Sequence, residues 1–567
     1  MTGDPIAPPG AGESPSGHRG WQALALGAAL AFALLALDAA RLETPTIDEF
    51  AHVPAGHAVL VHGNLDLYSK NPPLGKALLA APNVLFRSVS VPPPQEPSFG
   101  WGPWQYGRRF MKANPASYFS LFTTSRAVVV VFALLAGGIV FLWTRALFGE
   151  RAAATSSALF LLCPTLLAHG HLATLDILCA TTIAGSLLAL RSALAGDGLP
   201  RFVGAGGVLG LALLVKFTAL LLAPVFTFLV LLARGRRVGR ALGELAVVFG
   251  MAAVVVNGGM AFRGSFAPLG EFVFGSDFAR SLQRVLPAGI PVPAPLDYVR
   301  GFDAQKRDVE RAEFPSYFRG SWSREGVWYY EAAALLVKTP LPLLALLGFT
   351  PFALWRHRLP RRELALLGAP ILVLGLLLTG LNSLNVGTRY LLPLYPFAFI
   401  AMGAAFARGG RATNISAVAL VALVAALTIR VHPGYLGYFN ALAGGSDEGH
   451  RYLLDSNLDW GQDLYRLPHA LERLDPQGEA PLQLLYFGHV EPELYGLEFT
   501  LPEEGAAGWV AASVSYLKGF AYPAPAPGRH STRVPPGALA WLEGQEPVAR
   551  LGSIWLFDRR EADSPPR

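Results

Sequence analysis

Asp48 and Glu49 stand side by side in Thr46-Ile47-Asp48-Glu49-Phe50-Ala51-His52, just past an almost wholly apolar run from about Trp21 to Ala40. Two carboxylates held at a membrane surface suit the removal of a proton from an attacking hydroxyl. Farther on, Lys70 and Lys76 flank Asn71-Pro72-Pro73-Leu74-Gly75. The prolines stop one element and can start a helix, and the lysines could meet a lipid phosphate or anchor the chain at the interface. Asp176, Lys216, Lys338 and Arg389 lie in or beside apolar runs. A charge there costs about 2.5–3.5 kcal/mol at the centre of a span and less near its ends. Each also has a plain structural reading. Asp48, Glu49 or Asp176 can cap a helix. Lys216 can snorkel and Arg389 can anchor, while Lys338 precedes prolines that would kink its helix.

The elements that position these residues are membrane spans. Of 567 residues, 52% are hydrophobic and 15% charged, against about 25% charged in soluble domains. Apolar runs near twenty residues recur from Trp21 to Arg430, which makes a polytopic membrane protein. The net charge of +6 comes from arginines in short loops between these runs, where topology signals lie, and does not point to nucleic acid. Cys163 and Cys179 fall inside apolar runs and read as small buried hydrophobes.

Charge sets the topology. With residues 1–20 as a disordered cytoplasmic tail and spans near 21–40, 125–143, 152–170 and 174–190, Asp48 lies outside. The stretch 202–233 is long for one helix and short for two. A single crossing would put Arg234, Arg236, Arg237 and Arg240, and then Arg356, Arg358, Arg361 and Arg362, on the outside against the positive-inside rule. A hairpin turning near Lys216 keeps both clusters inside. Spans near 241–262, 331–355, 363–381, 389–407 and 412–430 bring the total to eleven. Residues 41–124, 263–330 and 431–567 are then extracytoplasmic. The last of these carries an amphipathic helix (Leu464–Leu474) and strand-like runs at 482–487, 509–516 and 553–557, a small α+β domain. Asp48, Asp176, Lys216 and Arg389 all fall at outer span ends, two acids and two bases on one rim. No Gly-rich fingerprint marks a nucleotide-binding domain. His169 and His171 lack the spacing of a helical metal pair. Asp455, Asn457, Asp459 and Asp463 imitate the start of a calcium loop, but Trp460 and Arg466 occupy the positions that need Gly and Glu; an unrelated cation site is the alternative left open.

Taken together, Asp48-Glu49 after the first span, Asn71-Pro-Pro-Leu-Gly-Lys76 opening a surface helix, Thr174-Leu175-Asp176, and Arg389-Tyr390-Leu-Leu-Pro-Leu-Tyr-Pro396 resemble the protein O-mannosyltransferase and aminoarabinose transferase group. The resemblance runs over roughly residues 20–430. It implies an all-α polytopic bundle of the GT-C type and transfer of a sugar from a polyprenyl-phosphate carrier. The acceptor would be a hydroxyl or amine of a protein, lipid or glycan on the extracytoplasmic face of a bacterial inner membrane. By that likeness Asp48 is the general base. Glu49, His52, Asn71 and Asp176 bind acceptor or donor sugar, and Lys70, Lys76, Lys216, Arg389 and Tyr390 face the carrier phosphate. No cofactor is required, a divalent cation being the minor alternative. Asn71 stands where O-mannosyltransferases tend to have His and aminoarabinose transferases Lys, so the sugar is not carried over. Transporter or flippase and oligosaccharide ligase are the competing readings.

Overall fold

The computed structural model describes residues 15–94, 102–196, 198–312, 314–380 and 385–560. Most of the expected disordered tail lies outside that set; from Pro15 the chain is already in the first helix, Pro15–Leu42.

Among the described residues, eight helices are long and apolar enough to cross a membrane alone, and the number reaches ten if each of two bent pairs is one span. Leu199–Val215, at 17 residues, is a shorter apolar helix that runs between two rims. One rim is set by contacts among span ends: Gln22 to Glu150 (3.1 Å), Arg145 to Glu150 (2.7 Å), Arg191 to Glu363 (2.8 Å) and Arg234 to Glu244 (2.7 Å). The opposite rim joins Asp176 to Lys216 and Asp48 to Arg389. Arg234 lies over the Phe202 ring, so the segment after Lys216 runs back beside the start of Leu199–Val215. The hairpin inferred from loop charge is therefore real. Its turn is a break in which Lys216 adopts extended backbone (φ −155°, ψ 140°) between Leu199–Val215 and Phe217–Leu221. Two glycines let Leu199–Val215 approach Val238–Gly259 closely: a Cβ at Gly206 would stand 2.4 Å from the Val248 carbonyl oxygen, and one at Gly210 would stand 2.5 Å from the Val255 Cβ. Such four-residue spacing of small residues is a common interface in lipid, where packing replaces the hydrophobic drive.

Several boundaries differ from the sequence reading. The second span starts at Tyr118 and not near 125, because Arg126 is neutralised inside the protein and does not end the helix. The third is bent by 60° between Glu150–Leu161 and Pro164–Gly170. Tyr330–Lys338 and Leu341–His357 meet at 119°, the kink that Pro340 and Pro342 foretell.

The rim that carries Asp48 is capped by three chain segments. The first supplies helices Ile47–His62, Pro73–Phe86 and Gly102–Ala113; the second supplies Asp277–Val285 and Leu296–Glu310. The third is the C-terminal region. Its sheet pairs 482–485 parallel to 509–513, then 554–558 and 549–551 antiparallel, with helix Arg466–Leu474 alongside. The strand expected to reach Tyr516 ends at Ser513, where the chain turns into the short helix Val514–Leu517. Backbone bonds from Thr44 to Gln462 (3.0 Å) and Ile47 to Trp460 (3.2 Å) fasten this region to the segment that holds Asp48.

Candidate active site

Asp48 and Glu49 occupy neighbouring positions in the first turn of Ile47–His62 and do different things. Neighbours on a helix point about 100° apart. Glu49 turns inward and is wholly buried. It reaches back to the Thr46 amide (2.8 Å) in a capping box, takes the Ala173 amide (2.6 Å) and forms a two-pronged pair with Arg126 (2.7 Å each). Arg126 gives its other donors to the carbonyls of Ala40, Glu43 and Thr44, so all five are used. Burial alone would raise the Glu49 carboxyl, but Arg126 and the two amides hold it below the ordinary carboxylate range. The structure thus corrects the assignment of Glu49 to sugar binding: it faces the packed interior.

Asp48 turns outward. Its side chain is 24% exposed and bonds Arg389 Nη1 at 2.6 Å. Arg389 lies over the rings of Trp460 (4.6 Å) and Tyr390 (5.8 Å). Its Nε is buried without a partner among the described residues, so the bond to Asp48 leaves part of the planar donor fork unused. Tyr390 lies between two cations, since Lys216 approaches its ring at 5.6 Å while pairing with Asp176 at 2.5 Å.

A cleft of about 190 Å³ opens onto Asp176, Lys216, Arg389 and Tyr390 and continues between Leu221, Leu378 and Pro393. One end is charged and the other is apolar wall from the spans. Helix Leu296–Glu310 closes its side with Phe302, Gln305 and Val309. A second cavity, of about 600 Å³, lies beyond the Asp48 helix between Phe50, Trp104, Arg324, His489, Tyr522 and Arg533. Tyr522 lies in the field of both Asp48 and Asp455, while Phe50, two residues along from Asp48, lines the cavity directly.

Other predicted residues serve as supports. Lys76 is buried and donates to the carbonyls of Tyr68 and Asn71; burial pushes its ammonium down to about 7. Lys70 pairs with Asp308 and ties the Asn71 loop to helix Leu296–Glu310. Neither lines the cleft that holds Lys216 and Arg389, because backbone carbonyls and Asp308 engage both ammonium groups first. His52 stacks on Tyr68 with centroids 5.0 Å apart. Burial pushes it down to about 4, which leaves a neutral ring whose Nδ1 has no partner among the described residues. The Asn71 Oδ1 is likewise buried and unpartnered there. His171 bonds Glu43 (2.8 Å) while His169 lies against Trp460, so the two histidines engage different neighbours. Lys338 donates to the carbonyls of Leu436 (2.6 Å) and Asn457 (2.7 Å).

The acidic run 455–463 does not converge on one point. Asn457 turns to the Thr388 amide (3.3 Å), Asp459 to the Ser515 amide (3.0 Å) and Asp463 to Arg466 (2.7 Å) and the Ser553 amide (2.9 Å). Asp455 lies in the field of Arg389 and Asp48. Its backbone has φ +52°, a costly conformation for a non-glycine residue and one found at functional sites. Burial pushes its carboxyl up to about 6, a rise that Arg389 opposes and Asp48 reinforces.

Burial raises Asp459 to about 7, against about 3.9 in an unfolded chain. The folded state therefore holds that proton more tightly. The stabilisation is complete below about pH 4 and is lost as pH rises through about 7. Asp459→Asn retains an oxygen for Ser515. The melting temperature of the variant in detergent is expected to fall less than that of the native protein between pH 5 and pH 8; equal slopes would contradict it.

Sequence reasoning missed Arg126, whose lone charge in Thr123-Thr-Ser-Arg126-Ala-Val-Val was the available signal. It also missed the placing of Asp455 and the wall formed by Leu296–Glu310, which no local pattern announces.

Residues 119–258, about a quarter of the chain, match the family model for dolichyl-phosphate-mannose-protein mannosyltransferase. That stretch contains Asp176 and Lys216 but neither Asp48 nor Arg389. No curated protein sequence matches the chain. Solved structures similar to it include ArnT from Cupriavidus metallidurans bound to undecaprenyl phosphate, 16% identical with a TM-score of 0.49 over 95% of this chain and 97% of that one. Another is the archaeal oligosaccharyltransferase AglB from Archaeoglobus fulgidus in complex with an inhibitory peptide and a dolichol-phosphate. It is 12% identical with a TM-score of 0.44 over 87% of this chain and 70% of that one.

Proposed function

We propose that this chain is a membrane glycosyltransferase of the kind its residues 119–258 resemble, moving a sugar from a polyprenyl-phosphate carrier to a hydroxyl or amine acceptor. The observation that carries the reading is the Asp48–Arg389 pair, whose arginine lines a cleft walled by membrane spans and whose aspartate stands two residues before Phe50, which lines a cavity walled by the rim segments. The carrier's phosphate enters the charged end of the cleft and its isoprenoid tail follows the apolar walls. The fork of Arg389 takes two phosphate oxygens, and Lys216 supplies a second positive charge. The acceptor comes from the second cavity, where the aromatic rings of Trp104 and Tyr522 offer stacking faces for a sugar or an aromatic side chain.

Asp48 accepts the acceptor's proton as the nucleophile attacks the anomeric carbon, and the phosphate departs with the bonding pair. A single displacement from the opposite face inverts that carbon. Asp176 holds Lys216 in place, and Asp455 adds a second carboxylate on the acceptor side. His52 and Asn71, each with an open buried atom, are assigned to sugar contacts. Neutralisation of the leaving phosphate falls to Arg389 and Lys216, and the reading names no metal; transfer that survives EDTA is its corollary. An Arg-rich rim facing the cytoplasm by the positive-inside rule supports a reaction on the extracytoplasmic face.

The test is mass spectrometry of surface glycans and lipid-linked sugars in a strain lacking the gene. Loss of one glycan substituent with accumulation of its polyprenyl-phosphate donor is expected, and unchanged pools of both would overturn the reading. With that donor in hand, Arg389→Lys, which keeps the charge and loses the fork, is expected to lower transfer by about 10- to 100-fold, mainly through weaker donor binding. A variant with unchanged donor affinity would remove Arg389 from the phosphate.

A further inference from the structure

A third cavity, of about 720 Å³, lies where the last span, Arg411–Arg430, meets the C-terminal region. Leu427 and Val431, one helical turn apart, form its wall on the span side. The span is apolar on its outer surface, with Leu423 and Ile429 exposed, so this wall adjoins the bilayer. The interior is cationic: Arg430, Arg466 and Arg550 line it with Asp447 as the acidic residue. Arg466 is engaged by Asp463 (2.7 Å). His432 is engaged by Asp38 (2.9 Å), and His450 by the Asp447 carbonyl (2.9 Å). Arg430 and Arg550 have no carboxylate partner among the described residues, and both are exposed. Arg550 lies over the Trp555 ring at 4.5 Å and reaches the Asp447 carbonyl at 3.3 Å, which holds its guanidinium at the cavity wall.

A pocket with two arginines that lack a carboxylate partner among the described residues, one of them at the span end, together with a tryptophan and an apolar flank, matches the chemistry of an anionic lipid. We propose that this cavity binds the phosphate headgroup of a membrane lipid, with Arg430 and Arg550 on the phosphate and the acyl chains along Arg411–Arg430. The site is separate from the Asp48 cleft and does not depend on the reaction proposed there. Its occupant ties the C-terminal region to the bilayer.

The test uses the full-length protein in nanodiscs of mixed phosphatidylcholine and phosphatidylglycerol, with retained lipid read by native mass spectrometry. Preferential retention of phosphatidylglycerol is expected, falling about tenfold or more in Arg430→Gln/Arg550→Gln and unchanged in Asp48→Asn. The single variant Arg430→Glu, on an exposed residue, is expected to lose it too while melting like the native protein. Equal retention by native and double-variant protein would overturn the proposal. So would full displacement by millimolar inorganic phosphate, which would mark a site for a soluble phosphate ester.

Discussion

Asp48→Asn is expected to lower transfer by about 10²–10⁴-fold, the usual contribution of a positioned general base, in a protein that folds normally. The substitution keeps the shape of the side chain and an oxygen for Arg389, but removes the charge that accepts a proton. Among the described residues the Asp48 carboxylate bonds Arg389 and joins no buried network, and it is partly exposed. Folding should therefore survive. Carrier binding should survive as well, since Arg389 then faces the phosphate without a competing carboxylate. The distinguishing measurement is single-turnover transfer with saturating donor beside a donor-binding assay. Slow chemistry with unweakened binding is the expected pattern; turnover near that of the native protein would exclude Asp48 as the base.

One residue along, the expected result is reversed. Glu49→Gln or Arg126→Met leaves a buried charge without its partner, and breaking such a pair costs about 3–5 kcal/mol. Here the loss is compounded because Arg126 also binds three carbonyls at the end of the first span, while Glu49 holds the Thr46 and Ala173 amides. Both variants should accumulate poorly in membranes and melt well below the native protein. Normal yield and melting with lost transfer would return Glu49 to the reaction. Two adjacent carboxylates thus give a paired experiment, one variant folded and slow, the other unstable.

Much of this arrangement was legible because it rests on local signals. Apolar run lengths marked the spans, and arginine-bearing loops fixed the hairpin at Lys216. Pro72 and Pro73 announced the surface helix, which begins at Pro73. The gathering of Asp48, Asp176, Lys216 and Arg389 on one rim followed from that topology. What could not be read was which of several polar residues would spend its charge inside. Glu49 meets Arg126 across 77 residues, and Asp48 meets Arg389 across 341; such pairings are set by helix packing and leave no periodic trace. Lys76 looks like a phosphate ligand by position, yet two carbonyls in its own loop reach it first. Asp455 looked like part of a cation loop because spacing records neither its positive φ nor the amides that claim Asp459 and Asp463.

The joint between the C-terminal region and residues 386–389 limits how this protein can be divided. Gly387 has φ +85° and sits so near Asn457 that a Cβ would overlap its side-chain oxygen at 1.8 Å; Ser456 bonds the Val386 carbonyl (2.9 Å), and the carbonyls of Leu436 and Asn457 quench the Lys338 ammonium. A chain severed after residue 430 would keep every helix that spans the bilayer yet strand a cation among apolar neighbours and leave the arm bearing Arg389 unbraced. Chimaeras between related proteins should therefore exchange the tail and this arm as one cassette.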